Sequence, residues 1–187
     1  MKSTMPYRGV TVPVQRQLYR MVFPRFLLPS FEEWRDTILA LWDEAQYREE
    51  RYSALALAGD RLYARFRTLE ALPLFERLIV DGAWWDLVDG LATHEIGELL
   101  RRYPESMRSR LLEWSCGLDH WLRRTSIICQ VGFKHATDQA LLYACIEPSL
   151  RERDFLPEPE KSDWLGAARI RQVRARSRGS LCRRAPG

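Results

Sequence analysis

The chain has 187 residues, 46% of them hydrophobic and 29% charged, a balance that suits one globular domain with a real core. No apolar run approaches the ~20 residues of a membrane span, and the opening MKSTMPYRGV lacks a secretory signal's apolar stretch, so a cytoplasmic protein without membrane attachment is expected. The net charge of +4 says little about nucleic acid. Residues 161–187 carry eight basic groups and one acid, which leaves residues 1–160 with 21 basic against 24 acidic groups. Any affinity for DNA must come from local patches.

Helical periodicity dominates from about residue 13 to residue 153, without the β-branched alternation of strands. Ser30 followed by Glu33 reads as a capping box, and Phe31, Trp34, Ile38, Leu41 and Trp42 form an apolar stripe behind it. A second helix over about 47–58 presents Tyr52, Leu55 and Ala58 on one face. Thr68 caps a third, in which Leu69, Leu72, Phe75, Leu78 and Ile79 recur at helical spacing until Asp81-Gly82 closes it. A fourth runs from near Ala83 to about Tyr103, where Pro104 ends it or opens the next. The fifth covers about 105–116 with Gly117 as its stop, the sixth about 118–132, and the seventh about 137–153, shortened or kinked by Pro148.

These helices pair off. First members begin near residues 31, 69 and 105 and second members near 48, 84 and 118, a period of about 35 residues. Such a period marks a two-helix solenoid whose neighbouring pairs bury one another's apolar faces. An irregular helical bundle stays open as the alternative. Cys116, Cys129, Cys145 and Cys182 form no CxxC pair, and His94, His120 and His135 complete no finger pattern. No metal site is expected, and the cysteines read as buried reduced thiols.

The string Gly82-Ala83-Trp84-Trp85-Asp86-Leu87-Val88-Asp89 stands apart from the rest. On a helix, Trp85 and Asp89 are one turn apart and share a face, while Trp84 and Val88 share the next and pack inward. Cleaving an N-glycosidic bond builds positive charge on the sugar, which a carboxylate stabilises. An indole beside that sugar adds a cation–π attraction and excludes water. The alternative is a buried tryptophan pair, with Asp86 and Asp89 capping the helix or pairing with arginine.

GAWWDLVDGLA followed by LDHWLRRTSIICQ resembles the paired signature of the bacterial alkylpurine DNA glycosylases with HEAT-like repeats. YRGVTVPVQRQL, LWDEAQYREERYSALALA and TDQALLYACIEPSLRERDF support it, in the family's order over about residues 1–155. The resemblance implies an all-α, HEAT-like helical-repeat solenoid whose concave face lies along DNA. It also implies that Trp85 faces the sugar, that Asp89 is catalytic, and that Arg124 in Trp121-Leu122-Arg123-Arg124 holds the DNA backbone. Taken alone, Arg124 is a solvated helix charge. The implied activity is excision of purines made cationic by N3 or N7 alkylation, without metal or other cofactor and without flipping the lesion into a pocket. The implied partner of this monomer is double-stranded DNA carrying alkylated purines.

Two departures temper that activity. The family begins with a further helix leading into a Tyr-Met-Lys stretch, whereas this chain opens at Met1-Lys2. After RERDF the family continues close to RKAIGWALREYAK, whose tryptophan lines the sugar cleft, but here the chain reads LPEPEKSDWLGAARIRQVRARSRGSLCRRAPG. Permitted codons for Lys161 to Gly187, read one nucleotide later, yield KAIGWALREYAKYAPEAVAAYVEEHR, so a frameshift within residues 156–161 is inferred; the gene's nucleotide sequence decides it. Residues 1–155 are then an incomplete glycosylase domain and residues 156–187 an aberrant, disordered basic tail, with impaired or absent activity expected. The rival expectation is a noncatalytic HEAT-like scaffold that binds DNA or protein.

Overall fold

The computed structural model describes residues 5–150, and these form helices and turns only, so the fold class is all-α. The helices are α1 (Val12–Val22), α2 (Phe31–Asp43), α3 (Arg48–Ala58), α4 (Leu72–Gly82), α5 (Trp85–Leu91), α6 (Gly97–Arg102), α7 (Pro104–Cys116), α8 (His120–Ile128) and α9 (Gln139–Ser149). The expected basic tail and the question of a displaced reading frame lie outside the described residues. Among the described residues, no helix is long and apolar enough to cross a membrane.

Most starts follow from local chemistry. The Ser30 hydroxyl accepts the Glu33 N–H at 3.1 Å and opens α2. At α3 a carboxylate reaches back, as Glu50 accepts the N–H groups of Gln46 at 2.7 Å and Tyr47 at 3.1 Å. Thr68 caps the short 3-10 turn that leads into α4. Pro104 sits at the start of α7, where its missing N–H costs nothing.

Three expected helices change extent. The fourth opens at Trp85, not Ala83, because Ala83 ends α4 in the left-handed region (φ 41°) and Trp84 is extended. It continues through a π-helical turn at Ala92–Ile96 into α6. The sixth is shorter at both ends. Asp119 accepts the N–H groups of Trp121 and Leu122 at 2.9 and 2.8 Å, so α8 starts at His120. Beyond α8, buried Gln130 binds both backbone groups of Asp138, at 3.2 and 2.8 Å, and the chain turns there through a 3-10 stretch at Val131–Ala136. The seventh begins at Gln139 because Asp138 caps it, and Pro148 lies in its last turn.

The core is continuous. Trp34, Ile38 and Trp42 of α2 pack with Leu57 of α3, with Phe75, Leu78 and Ile79 of α4, and onward to Leu87 and Val88 of α5 and Leu111 of α7. Consecutive helices pair as the period predicts: α2 with α3, α4 with α5, and α7 with α8, while α9 packs on α7 and α8. The second members α3, α5 and α8 also touch in sequence along the chain. One glycine makes the last approach possible. A Cβ on Gly97 would lie 2.8 Å from the Cys129 carbonyl oxygen, so only glycine lets the α5–α6 segment come this close to the end of α8.

Two of the cysteines meet the expectation of buried thiols. Burial pushes the Cys129 thiol up to about 12 and the Cys145 thiol up to about 11, so both stay protonated and inert. Cys116, the last residue of α7, is exposed instead. Cys182 lies outside the described residues.

Candidate active site on consecutive helices

Trp85 opens α5 with 59% of its surface exposed. It is one of several large apolar side chains left in water, with Phe26, Leu27 and Leu118 more exposed still. One turn on, Asp89 is held by Arg124 of α8. The guanidinium donates from Nε to Oδ1 and from Nη2 to Oδ2, both at 2.7 Å. This planar fork fixes the carboxylate's position and plane, which a lysine would not do. The pair is only partly covered, with 23% of the Arg124 side chain and 28% of the Asp89 side chain open to solvent. The three residues expected at the site therefore meet on two neighbouring helices, and the two polar ones are bonded directly.

The alternative of aspartates paired with arginine is realised for both acids, but the buried tryptophan pair is not: Trp84 is half-buried and Trp85 exposed. Asp86 turns the other way, to α3. Arg48 donates from Nε to its Oδ2 at 3.2 Å and from Nη2 to its Oδ1, and the Tyr52 hydroxyl donates to Oδ2 at 2.5 Å. Burial opposes the Arg48 charge, yet its bonds to Asp86 and Tyr52 more than compensate and leave its pKa raised. Burial and the Asp86 carboxylate push the Tyr52 phenol up as well, so it remains a donor. Tyr52, expected on an apolar face, has its ring against the core and its hydroxyl in this polar cluster.

Just beyond the site the helix widens. Thr93 donates its hydroxyl to the Asp89 carbonyl at 2.7 Å, and His94 Nδ1 lies 2.9 Å from the Gly90 carbonyl. Side chains inserted into the backbone ladder accompany such a π turn. The extra residue turns Glu95 inward, where burial raises its carboxyl to about 7.

The model of the DNA alkylation repair enzyme family matches residues 1–158. The chain belongs to this family. No curated protein matches it. For a DNA alkylation repair enzyme the substrate is DNA, and the face that meets it must tolerate phosphate. A groove lined by Glu76, Arg77 and Asp81 of α4, by Arg110 and Glu113 of α7 and by Asp119 holds more acid than base, and includes none of Trp85, Asp89 and Arg124.

Sequence reasoning missed Arg48. Its signal was its distance from Asp86, 38 residues, close to the 35 that separate Asp89 from Arg124. An acid and an arginine one repeat apart are candidates for bridging neighbouring second helices.

Proposed function

We propose that this DNA alkylation repair enzyme is a monofunctional DNA glycosylase that releases N3- or N7-alkylated purines from duplex DNA, acting as a cytoplasmic monomer on a HEAT-like helical solenoid. In this reading α3, α5 and α8 line a concave face along the duplex. The single observation that carries it is the exposed Trp85 one turn from an Asp89 that Arg124 orients through both oxygens.

The chemistry asks little of the protein. Alkylation leaves the purine cationic, so when the bond from C1′ to the base nitrogen breaks, the base departs neutral with the electron pair. The sugar is left as an oxocarbenium ion. Asp89 stabilises that charge electrostatically and Trp85 covers the sugar with its indole face. Water then adds at C1′ and gives up a proton, leaving an abasic site. Arg124 serves both partners: it aims the carboxylate and supplies the cation for a phosphate, so carboxylate and phosphate share one positive charge. The family's cleft tryptophan has no positional counterpart after residue 155, so turnover is low or absent.

Binding tests the site independently of turnover. The probes are two duplexes, one with a cationic pyrrolidine in place of a single deoxyribose and one with its neutral tetrahydrofuran counterpart. The protein is expected to prefer the cationic duplex about tenfold or more, and Asp89→Asn to erase the preference. Equal affinity for both duplexes in the unmodified protein overturns the reading and leaves a DNA-binding scaffold. Release of 7-methylguanine from alkylated duplex, where measurable, should vanish with Asp89→Asn.

A further inference from the structure

The aim of Trp85 and Asp89 depends on the rotation of the first turn of α5, and no side-chain cap secures it. Trp84 precedes the helix in an extended conformation without a side-chain cap, and Ala83 before it occupies the left-handed region that favours glycine. Asp86 is the acidic residue of that turn, the usual group for binding the helix's own N–H donors. It crosses to α3 instead.

There it meets a prepared clamp. Arg48 and Tyr52 are one turn apart on α3, and Arg48 Nε lies 3.1 Å from the Tyr52 hydroxyl, so the two donors converge on one carboxylate. The Arg48 side chain is 4% exposed and that of Asp86 20%. The guanidinium also sits 5.7 Å from the centroid of the Trp84 ring, touching the α5 start at a second point. The clamp is itself anchored from behind. The Arg48 N–H donates to the Pro6 carbonyl at 3.0 Å, and the next residue, Glu49, accepts the N–H groups of Arg8, Gly9 and Val10 at 3.0, 2.8 and 3.1 Å. A buried ion pair is a poor device for stability alone, since apolar residues of like volume often serve better, but it is a good device for holding one orientation.

We infer that Arg48 and Tyr52 are positioning residues: by clamping Asp86 they set the rotation of the α5 start, and so aim Trp85 and Asp89 at the sugar without touching substrate. The inference rests on the glycosylase reading above. Asp86 crosses to α3, away from the face that Trp85 and Asp89 share, so it holds the helix and takes no part in the chemistry.

The test uses the full chain and the cationic and neutral duplexes, with melting temperature and affinity for undamaged duplex measured alongside. Tyr52→Phe and Arg48→Lys are expected to melt near the parent and to bind undamaged duplex as the parent does, yet to lose a factor of about three to ten in the preference for the cationic sugar. Asp86→Asn should lose more of it. Arg77→Gln, which breaks a surface pair, should lose none. A parent-like preference in both clamp variants overturns the inference while leaving the glycosylase reading intact. Absence of any preference in the parent overturns both.

Discussion

Two sets of helices carry the same kind of bond in different settings. Between first members, Arg77 of α4 grips Asp43 of α2 at 2.8 Å, with 46% and 44% of the side chains exposed. Arg110 of α7 puts two nitrogens on a single oxygen of Glu76 of α4, with 37% and 19% of the side chains exposed. Between second members, Arg48 binds Asp86 and Arg124 binds Asp89, in each case with one arginine nitrogen on each carboxylate oxygen. All four bonds span 34 to 38 residues, about one repeat. The repeat explains why an arginine and an acid meet. It does not explain why one set is kept in planar forks that take both carboxylate oxygens. Exposed pairs contribute about 0–1 kcal/mol, whereas a sheltered fork incurs desolvation for little net stability. What a fork supplies is orientation, and the set that has it carries Trp85 and Asp89.

That contrast can be broken or sharpened by substitution. Arg124→Ala should have the largest effect: Asp89 loses its orienting partner and duplex affinity falls about tenfold or more, read by fluorescence anisotropy across a salt series. An unchanged affinity would separate Arg124 from the DNA face. Gly97→Ala comes next. The added methyl meets a backbone oxygen that cannot step aside, so α5–α6 must shift from α8, with a loss of about 1–3 kcal/mol in denaturant melts. A neutral result would mean that the two helices have slack between them.

Glu95→Gln has an effect confined to part of the pH range. Folded Glu95 titrates at about 7 because of burial, above its ordinary 4.5, so between these values the folded chain holds a proton that the unfolded chain has released. The stability this confers is complete below about pH 4.5 and is lost as pH rises through 7. Glutamine escapes the loss, so the variant should gain about 1–3 kcal/mol over the parent at pH 8 and almost nothing near pH 4.5. A gain of equal size at both pH values would place the cause in packing and not in the charge. Smallest is Arg77→Gln, whose melting should stay within about 0.5 kcal/mol of the parent.

Much of the local structure was legible in the residues. Ser30, Thr68 and Pro104 mark helix starts by their own hydrogen-bonding chemistry, and the spacing of Trp34, Ile38 and Trp42 names a buried face. The four-residue interval between Trp85 and Asp89 follows from helical geometry alone. Asp119 and Asp138 have the same capping chemistry, and they set the starts of α8 and α9.

What the chain order could not say was which charges would meet. Arg123 and Arg124 are neighbours of equal chemistry, yet the rotation of α8 against α5 gives Asp89 to Arg124. The close approach of Gly97 to the Cys129 carbonyl, between residues 32 apart, is another feature that chain order does not reveal. The turning of Asp86 toward Arg48, and the π turn that carries Glu95 inward, are likewise settled where whole helices pack. Sequence by itself determined the helices, their period and the residue types able to do the chemistry, because those depend on interactions within a few residues. Tertiary structure alone decided which oxygen each guanidinium takes, because a salt bridge forms only where packing brings two side chains within about 3 Å.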